Sequence, residues 1–130
     1  MKLSIFGLGY VGAVSMACLA RDGNHVIGVD IDPAKIALIN AGKTPVVEEG
    51  MIELMERVVR EGRARATTDV DEAIRETTMS FICVGTPSAP NGSQDLGAVR
   101  AITAQLGRAL RTKSAPHVFV FRSTVVPGTV

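Results

Sequence analysis

The feature that most constrains this chain is a glycine loop set between two kinds of hydrophobic pattern. Lys2-Leu3-Ser4-Ile5-Phe6 reads as a short buried strand, and Gly7-Leu8-Gly9-Tyr10-Val11-Gly12 stops it. From Tyr10 to Arg21 small apolar residues follow a helical pattern, which ends at the turn Asp22-Gly23-Asn24. Gly-x-Gly-x-x-Gly alone is weak, because a plain tight strand-to-helix turn uses the same residues. The next segment narrows the choice. His25 to Val29 reads as a second strand and ends on Asp30. Asp32 then supplies an N-cap and Pro33 the first helical position of a helix running to about Ala41. A strand, a helix and a second strand in this order pair in parallel through a right-handed crossover.

The remainder repeats the alternation. Ile36 and Ile39, with Leu38 beside them, mark the inner face of the helix after Pro33. Thr44 to Gly50 is a loop, and Met51 to Glu61 predicts a helix with Ile52, Met55 and Val59 on one face. Ala64 to Thr67 is a short third strand, and Asp69 caps a brief helix ending near Glu76. Met79 to Val84 reads as a wholly buried strand stopped by Gly85-Thr86-Pro87. Pro90-Asn91-Gly92 marks a loop before a helix from about Leu96 to Leu110, and His117 to Arg122 is the fifth strand. The expected fold is α/β: a single-domain, Rossmann-type doubly wound parallel sheet in the order 3-2-1-4-5.

Length and charge agree with this and exclude other classes. A chain of 130 residues suits one such domain and is too short for two. Fourteen Lys and Arg against thirteen Asp and Glu leave a net charge of +1 with no block of one sign, so no electrostatic case exists for nucleic acid or a membrane surface. Glycines interrupt the apolar start too early for a signal peptide, and no apolar run spans a bilayer. Cys18 and Cys83 lie in apolar segments without metal-ligand spacing and read as small buried hydrophobes in a reducing cytoplasm. No metal constellation appears. His25 and His117 sit at strand starts and read as edge residues.

The candidate site follows from the topology. In a doubly wound sheet ligands lie beyond the carboxyl ends of the strands, where the strand order reverses. Gly7 allows the turn, Gly9 lets a pyrophosphate approach the backbone, and Gly12 lets the helix pack against the strand. The free N–H groups at the start of that helix, at its positive dipole end, face the phosphates. Asp30 can accept hydrogen bonds from both hydroxyls of an adenosine ribose and would repel a 2′-phosphate, which favours NAD over NADP. A second role for Asp30, helix capping, is already filled by Asp32. Lys35 reaches the ribose or phosphate edge, or is a solvated helix lysine. Thr86 and Thr124, in the loops after the fourth and fifth strands, face the same crevice and are placed to touch the nicotinamide ribose or an ordered water. Each is equally readable as a turn residue or cap.

These residues resemble a known family. Ile5 to Gly12, followed by Val26-Ile27-Gly28-Val29-Asp30, is similar to the start of the nucleotide-sugar 6-dehydrogenases. Pro45-Val46-Val47-Glu48-Glu49-Gly50 resembles their P-x-x-E-P-G loop, with Glu49 where proline is usual. Phe81-Ile82-Cys83-Val84-Gly85-Thr86-Pro87 and Arg122-Ser123-Thr124-Val125 resemble further family motifs, so the likeness runs over essentially the whole chain. Phe81 to Ser88, Asn91-Gly92, Asp95-Leu96-Gly97 and Arg122 to Val130 read more like the branch acting on GDP-mannose than the branch acting on UDP-glucose or UDP-N-acetylhexosamines.

The resemblance implies oxidation of a sugar C6 alcohol to the acid with two NAD, through an aldehyde and a cysteine thioester, as on the route to alginate-like polymers. It implies that Gly7, Gly9, Tyr10, Val11 and Gly12 take the pyrophosphate, Asp30 and Lys35 the adenosine ribose, and Thr86 the cofactor near the nicotinamide. Thr124 resembles a catalytic threonine that helps hold water. The family's nucleophilic cysteine corresponds to neither Cys18 nor Cys83. Residues 1–130 are therefore expected to be the NAD-binding domain of a longer, oligomeric enzyme, without the substrate and cysteine domain, binding cofactor and catalysing nothing alone. A stand-alone NAD-binding module is the alternative of another class.

Overall fold

Five parallel strands form one sheet in the order β3-β2-β1-β4-β5. The structure, a computed structural model, describes residues 1–93, 95–123 and 127–130. Its elements are β1 (Lys2–Phe6), α1 (Tyr10–Arg21), β2 (His25–Val29), α2 (Pro33–Asn40), α3 (Met51–Arg60), β3 (Ala64–Thr67), α4 (Val70–Glu76), β4 (Met79–Ile82), α5 (Gly97–Leu110) and β5 (Val118–Phe121). From β1 the chain steps outward to β2 and β3, then returns across the sheet and steps the other way to β4 and β5. Right-handed crossovers accordingly put α1, α2 and α3 on one face and α4 and α5 on the other.

Two hydrophobic layers follow from strand alternation. On the α1–α3 face Leu3, Ile5 and Val26 meet Met16, Ala17, Ala20, Ile39, Met55 and Val58. On the other face Phe6, Ile27, Val29 and Ile82 meet Ala73, Ile74, Leu106 and Ala109. Burying a residue the size of Ile5 or Phe6 stabilises the fold by about 1.5–3 kcal/mol. Ala13, Ala17 and Ala20 of α1 are fully buried, and their small side chains let the helix lie close to the sheet.

Three expectations need correcting. In α3 the buried face is Met51, Met55 and Val58, while Ile52 is 58% exposed and Val59 only half-buried. The inner face turns one residue earlier because Gly50, in a left-handed conformation, caps the helix and aims Met51 at the core. The fourth strand is shorter, ending at Ile82, and only alternate residues are buried: Ser80 and Ile82 are, Met79 and Phe81 are half-buried. On its second face Met79 and Phe81 pack against the α1–α3 layer and are covered only in part. Cys18 and Cys83 are likewise half-buried and unpaired, where full burial was expected.

Under the sheet's amino end lies a closed polar chain. Ser4, Ser80 and Thr77 are fully buried. Thr77 Oγ1 donates to the Ala73 carbonyl at 2.7 Å, so its single proton is used and Ser4 Oγ must donate to it. Ser80 Oγ then donates to Ser4 Oγ at 2.5 Å and accepts from His117 Nε2–H at 2.7 Å. His117 Nδ1 is left as acceptor for the Lys113 ammonium at 2.9 Å, which also donates to the carbonyls of Ile74 and Thr77. His117 is thus a fixed tautomer inside a network rather than a loose edge residue. His25 is exposed at the amino end of β2, which is an inner strand rather than an edge of the sheet.

Candidate functional site

Strand register builds the site. Phe6 lies level with Val29 on one side and Ile82 on the other, and Ile82 with Phe121. The residues that follow, Gly7, Asp30, Cys83 and Arg122, therefore stand in one row along the carboxyl edge of the sheet. Gly7 N–H donates to Val29 O at 2.8 Å and Cys83 N–H to Phe6 O at 2.7 Å, which carries the sheet bonding one step into the loops.

The glycine loop is tightly specified. Gly7 has φ +95°, and a Cβ there would lie 2.8 Å from the Cys83 carbonyl oxygen. A Cβ on Gly12 would lie 1.8 Å from Gly7 O, an overlap no adjustment of a side chain relieves. The close approach at Gly12 is thus chiefly to the loop's own backbone, with Ile5 of β1 next at 3.5 Å. At Gly9 the opposite holds: nothing lies within 4 Å of the position a Cβ would take. Gly9 is the N-cap of α1, no side chain caps the helix, and no acidic residue stands in its first turn. The helix start thus offers backbone donors and positive dipole to an open space, a cradle fitted to a pyrophosphate.

Asp30 is the second half of the cradle. Its Oδ2 accepts Leu8 N–H at 2.8 Å and its Oδ1 accepts Asp32 N–H at 3.0 Å. Each oxygen keeps lone-pair capacity for a ribose hydroxyl. Asp32 Oδ1 accepts Ala34 N–H at 2.9 Å and is the helix cap, which leaves Asp30 unneeded for that task. Lys35 Nζ stands 3.9 Å from Asp30 Oδ2, a long and half-exposed ion pair of small energy. Ile31 beside them is 92% exposed and puts an apolar side chain on the surface next to Asp30.

On the other side of the crevice Thr86 is half-buried in the loop after β4. Ser123 Oγ donates to Val84 O at 2.9 Å and fastens the end of β5 to that loop. Thr124 lies outside the described residues. Burial pushes the Cys83 thiol up despite the opposing pull of Arg122, so it stays protonated at neutral pH and is a poor nucleophile. Among the described residues no group of three His, Cys, Asp or Glu side chains could hold a metal ion, and no helix is long and apolar enough to cross a membrane.

The structure brings Gly7, Gly9, Tyr10, Val11, Gly12, Asp30 and Lys35 to one end of the sheet, as the spacing requires. Two further residues support the site: Leu8, whose role had no sequence signal, and Glu48, the acidic position of the Pro45–Gly50 motif, whose contact with Tyr10 the motif did not reveal. Leu8 is fully buried, its methyl groups filling the space left by Gly28; a Cβ on Gly28 would lie 2.9 Å from Leu8 Cδ2 and Met16 Sδ. Glu48, which arrives from the loop before α3, accepts the Tyr10 hydroxyl at 2.5 Å.

Comparison with known proteins agrees with this geometry. Residues 1–130 match the NAD-binding domain of the UDP-glucose/GDP-mannose dehydrogenase family. GDP-mannose 6-dehydrogenase of Azotobacter vinelandii is 53% identical over 130 residues, which is all of this chain and 30% of that protein. A UDP-glucose 6-dehydrogenase of Haloferax volcanii is 46% identical over 129 residues, 99% of this chain and again 30% of the relative. Among solved structures, a ternary complex of GDP-mannose dehydrogenase from Pseudomonas aeruginosa superposes with a TM-score of 0.98 at 51% identity, covering 99% of this chain and 30% of that one. The chain spans about a third of the length of the relatives it matches. It belongs to the UDP-glucose/GDP-mannose dehydrogenase family, and it corresponds to that family's NAD-binding domain.

Proposed function

We propose that this domain holds NAD for an enzyme that oxidises the C6 alcohol of GDP-mannose to the acid, and that Gly7, Gly9, Tyr10, Val11 and Gly12 take the pyrophosphate. Asp30 and Lys35 take the adenosine ribose, and Thr86 and Thr124 the nicotinamide end, with Thr124 also holding a catalytic water. The observation that carries the reading is the Asp30 carboxylate: it is 11% exposed, anchored by Leu8 and Asp32, and aimed beside an uncapped helix start. A fixed negative charge there accepts ribose hydroxyls and repels a 2′-phosphate. Bound in this cradle, NAD supplies the hydride acceptor.

GDP-mannose is favoured over UDP-glucose by identities of 51–53% to the GDP-mannose enzymes, against 46% and 39% to two UDP-glucose enzymes. Catalysis requires segments outside residues 1–130, since neither cysteine here suits a nucleophile. The free thiols Cys18 and Cys83 suit the cytoplasm, and the full enzyme is proposed to be a homo-oligomer.

Calorimetric titration of the chain tests the cofactor assignment. NAD should bind, NADP should bind at least about tenfold more weakly, and Asp30→Ala should weaken NAD by about tenfold or more. Equal affinity for NADP would show that Asp30 does not read the ribose. The sugar is tested by following NADH formation from GDP-mannose and UDP-glucose with the longer protein that carries this domain. A preference for UDP-glucose would overturn the substrate assignment, and NADH formed by residues 1–130 alone would overturn the need for further segments.

A further inference from the structure

The loop Thr44–Gly50 is fixed at both ends and free in its middle. Thr44 Oγ1 accepts Val46 N–H at 3.1 Å, Val46 packs against the core, and Met51 N–H donates to Glu48 O at 3.1 Å. Between these anchors Val47 is 97% exposed. One side chain reaches back from this stretch to the glycine-loop helix. Glu48 Oε2 accepts the hydroxyl of Tyr10, the first residue of α1, thirty-eight positions earlier in the chain. The loop middle is thereby drawn alongside the uncapped helix start. A carboxylate beside a phosphate cradle is unfavourable by charge alone, so its presence calls for a compensating task.

We propose that Glu48 is a positioning residue for the dinucleotide: through the Tyr10 hydroxyl it fastens the Thr44–Gly50 loop along the first turn of α1, making that loop the outer wall of the pyrophosphate site. The inference rests on the placement of the pyrophosphate at Gly7–Gly12. The tether sets the loop beside backbone N–H groups that stay open to a ligand, since nothing lies within 4 Å of a Cβ on Gly9 and Tyr10 is 56% exposed. A phosphate there takes charge-assisted bonds from them. The tyrosine proton shields the carboxylate, and Tyr10 occupies it so that the phosphate does not meet a bare charge. Glu48 also holds the Tyr10 phenol above its ordinary range, first through the hydrogen bond and then through its charge.

The chain contains one tyrosine and no tryptophan, so its phenol absorbance and emission report on Tyr10 alone. In a pH titration of that absorbance, Glu48→Ala should return the phenol to its ordinary range. Calorimetric NAD titrations of wild type, Tyr10→Phe, Glu48→Ala, the double variant and Glu48→Gln test the wall. Each single variant should weaken NAD about fivefold, the double variant no further, and Glu48→Gln, which still accepts the hydroxyl, should stay within about twofold of wild type. Unchanged affinity in the single variants, additive losses, or an unshifted phenol in Glu48→Ala would overturn the inference while the cofactor assignment stands. Failure of the wild-type chain to bind NAD would remove the assignment, and the inference with it.

Discussion

The two ends of the sheet treat polar groups in opposite ways. At the amino end every proton of the Lys113–His117–Ser80–Ser4–Thr77 chain has an acceptor, and the line closes on a backbone carbonyl. At the carboxyl end α1 starts without a side-chain cap, Gly9 faces open space, and Asp30 keeps lone pairs in reserve. The difference separates what holds the fold from what awaits a ligand. A closed network gives stability and no affinity, whereas an incomplete set of donors gives affinity at some expense of stability.

Substitutions can break that division at either end. The largest effect is expected from Gly12→Ala, where the new methyl overlaps the Gly7 carbonyl. Urea unfolding should show a loss of about 3 kcal/mol, and NAD binding should disappear with the loop's shape. Ser80→Ala comes next. It leaves His117 Nε2–H and Ser4 without their partner in a buried site, and the same experiment should show a loss of about 1–3 kcal/mol. NAD affinity should stay unchanged, and a parallel loss of affinity would contradict the separation of the two ends.

A smaller effect is expected from acid. Desolvation, and then the neighbouring Lys113 ammonium, hold the His117 pKa below its ordinary value near 6.5. The unfolded chain therefore takes up the proton first. Stability from the neutral imidazole is complete above about pH 6.5 and declines as pH falls through the lower, folded value. Thermal unfolding followed from pH 7.5 to 5 should show this decline, and His117→Gln should flatten it. The smallest change belongs to Lys35→Ala at the binding end. With an ion pair at 3.9 Å and a half-exposed ammonium, NAD should weaken only a few-fold and the melting temperature should barely move.

The sequence was legible where local rules decide. The glycine loop, the Asp32-Pro33 cap and the alternation of strands and helices place every element within a few residues, and with them the row Gly7, Asp30 and Cys83. The order of the strands followed from the topology, but which side chains meet across them was not legible. Ser4 meets Ser80 only because β1 and β4, 76 residues apart, lie in register, and no periodicity announces that. Tyr10 and Glu48 meet across a loop whose path the sequence leaves open. In α3, spacing identified an amphipathic helix, but Gly50 and the first buried residue, Met51, decided which way it faces.

Leu8 has a consequence for the thermodynamics of binding. Buried in the gap at Gly28 and tethered through its N–H to Asp30, it holds the glycine loop in its working shape before any cofactor arrives. Ordering a backbone residue costs about 1–2 kcal/mol, so freezing a six-residue loop at the moment of binding would consume much of the roughly 8 kcal/mol of a micromolar complex. Folding has already absorbed that entropy, and the hydrophobic plug beneath the loop is what makes its polar upper surface a ready receptor.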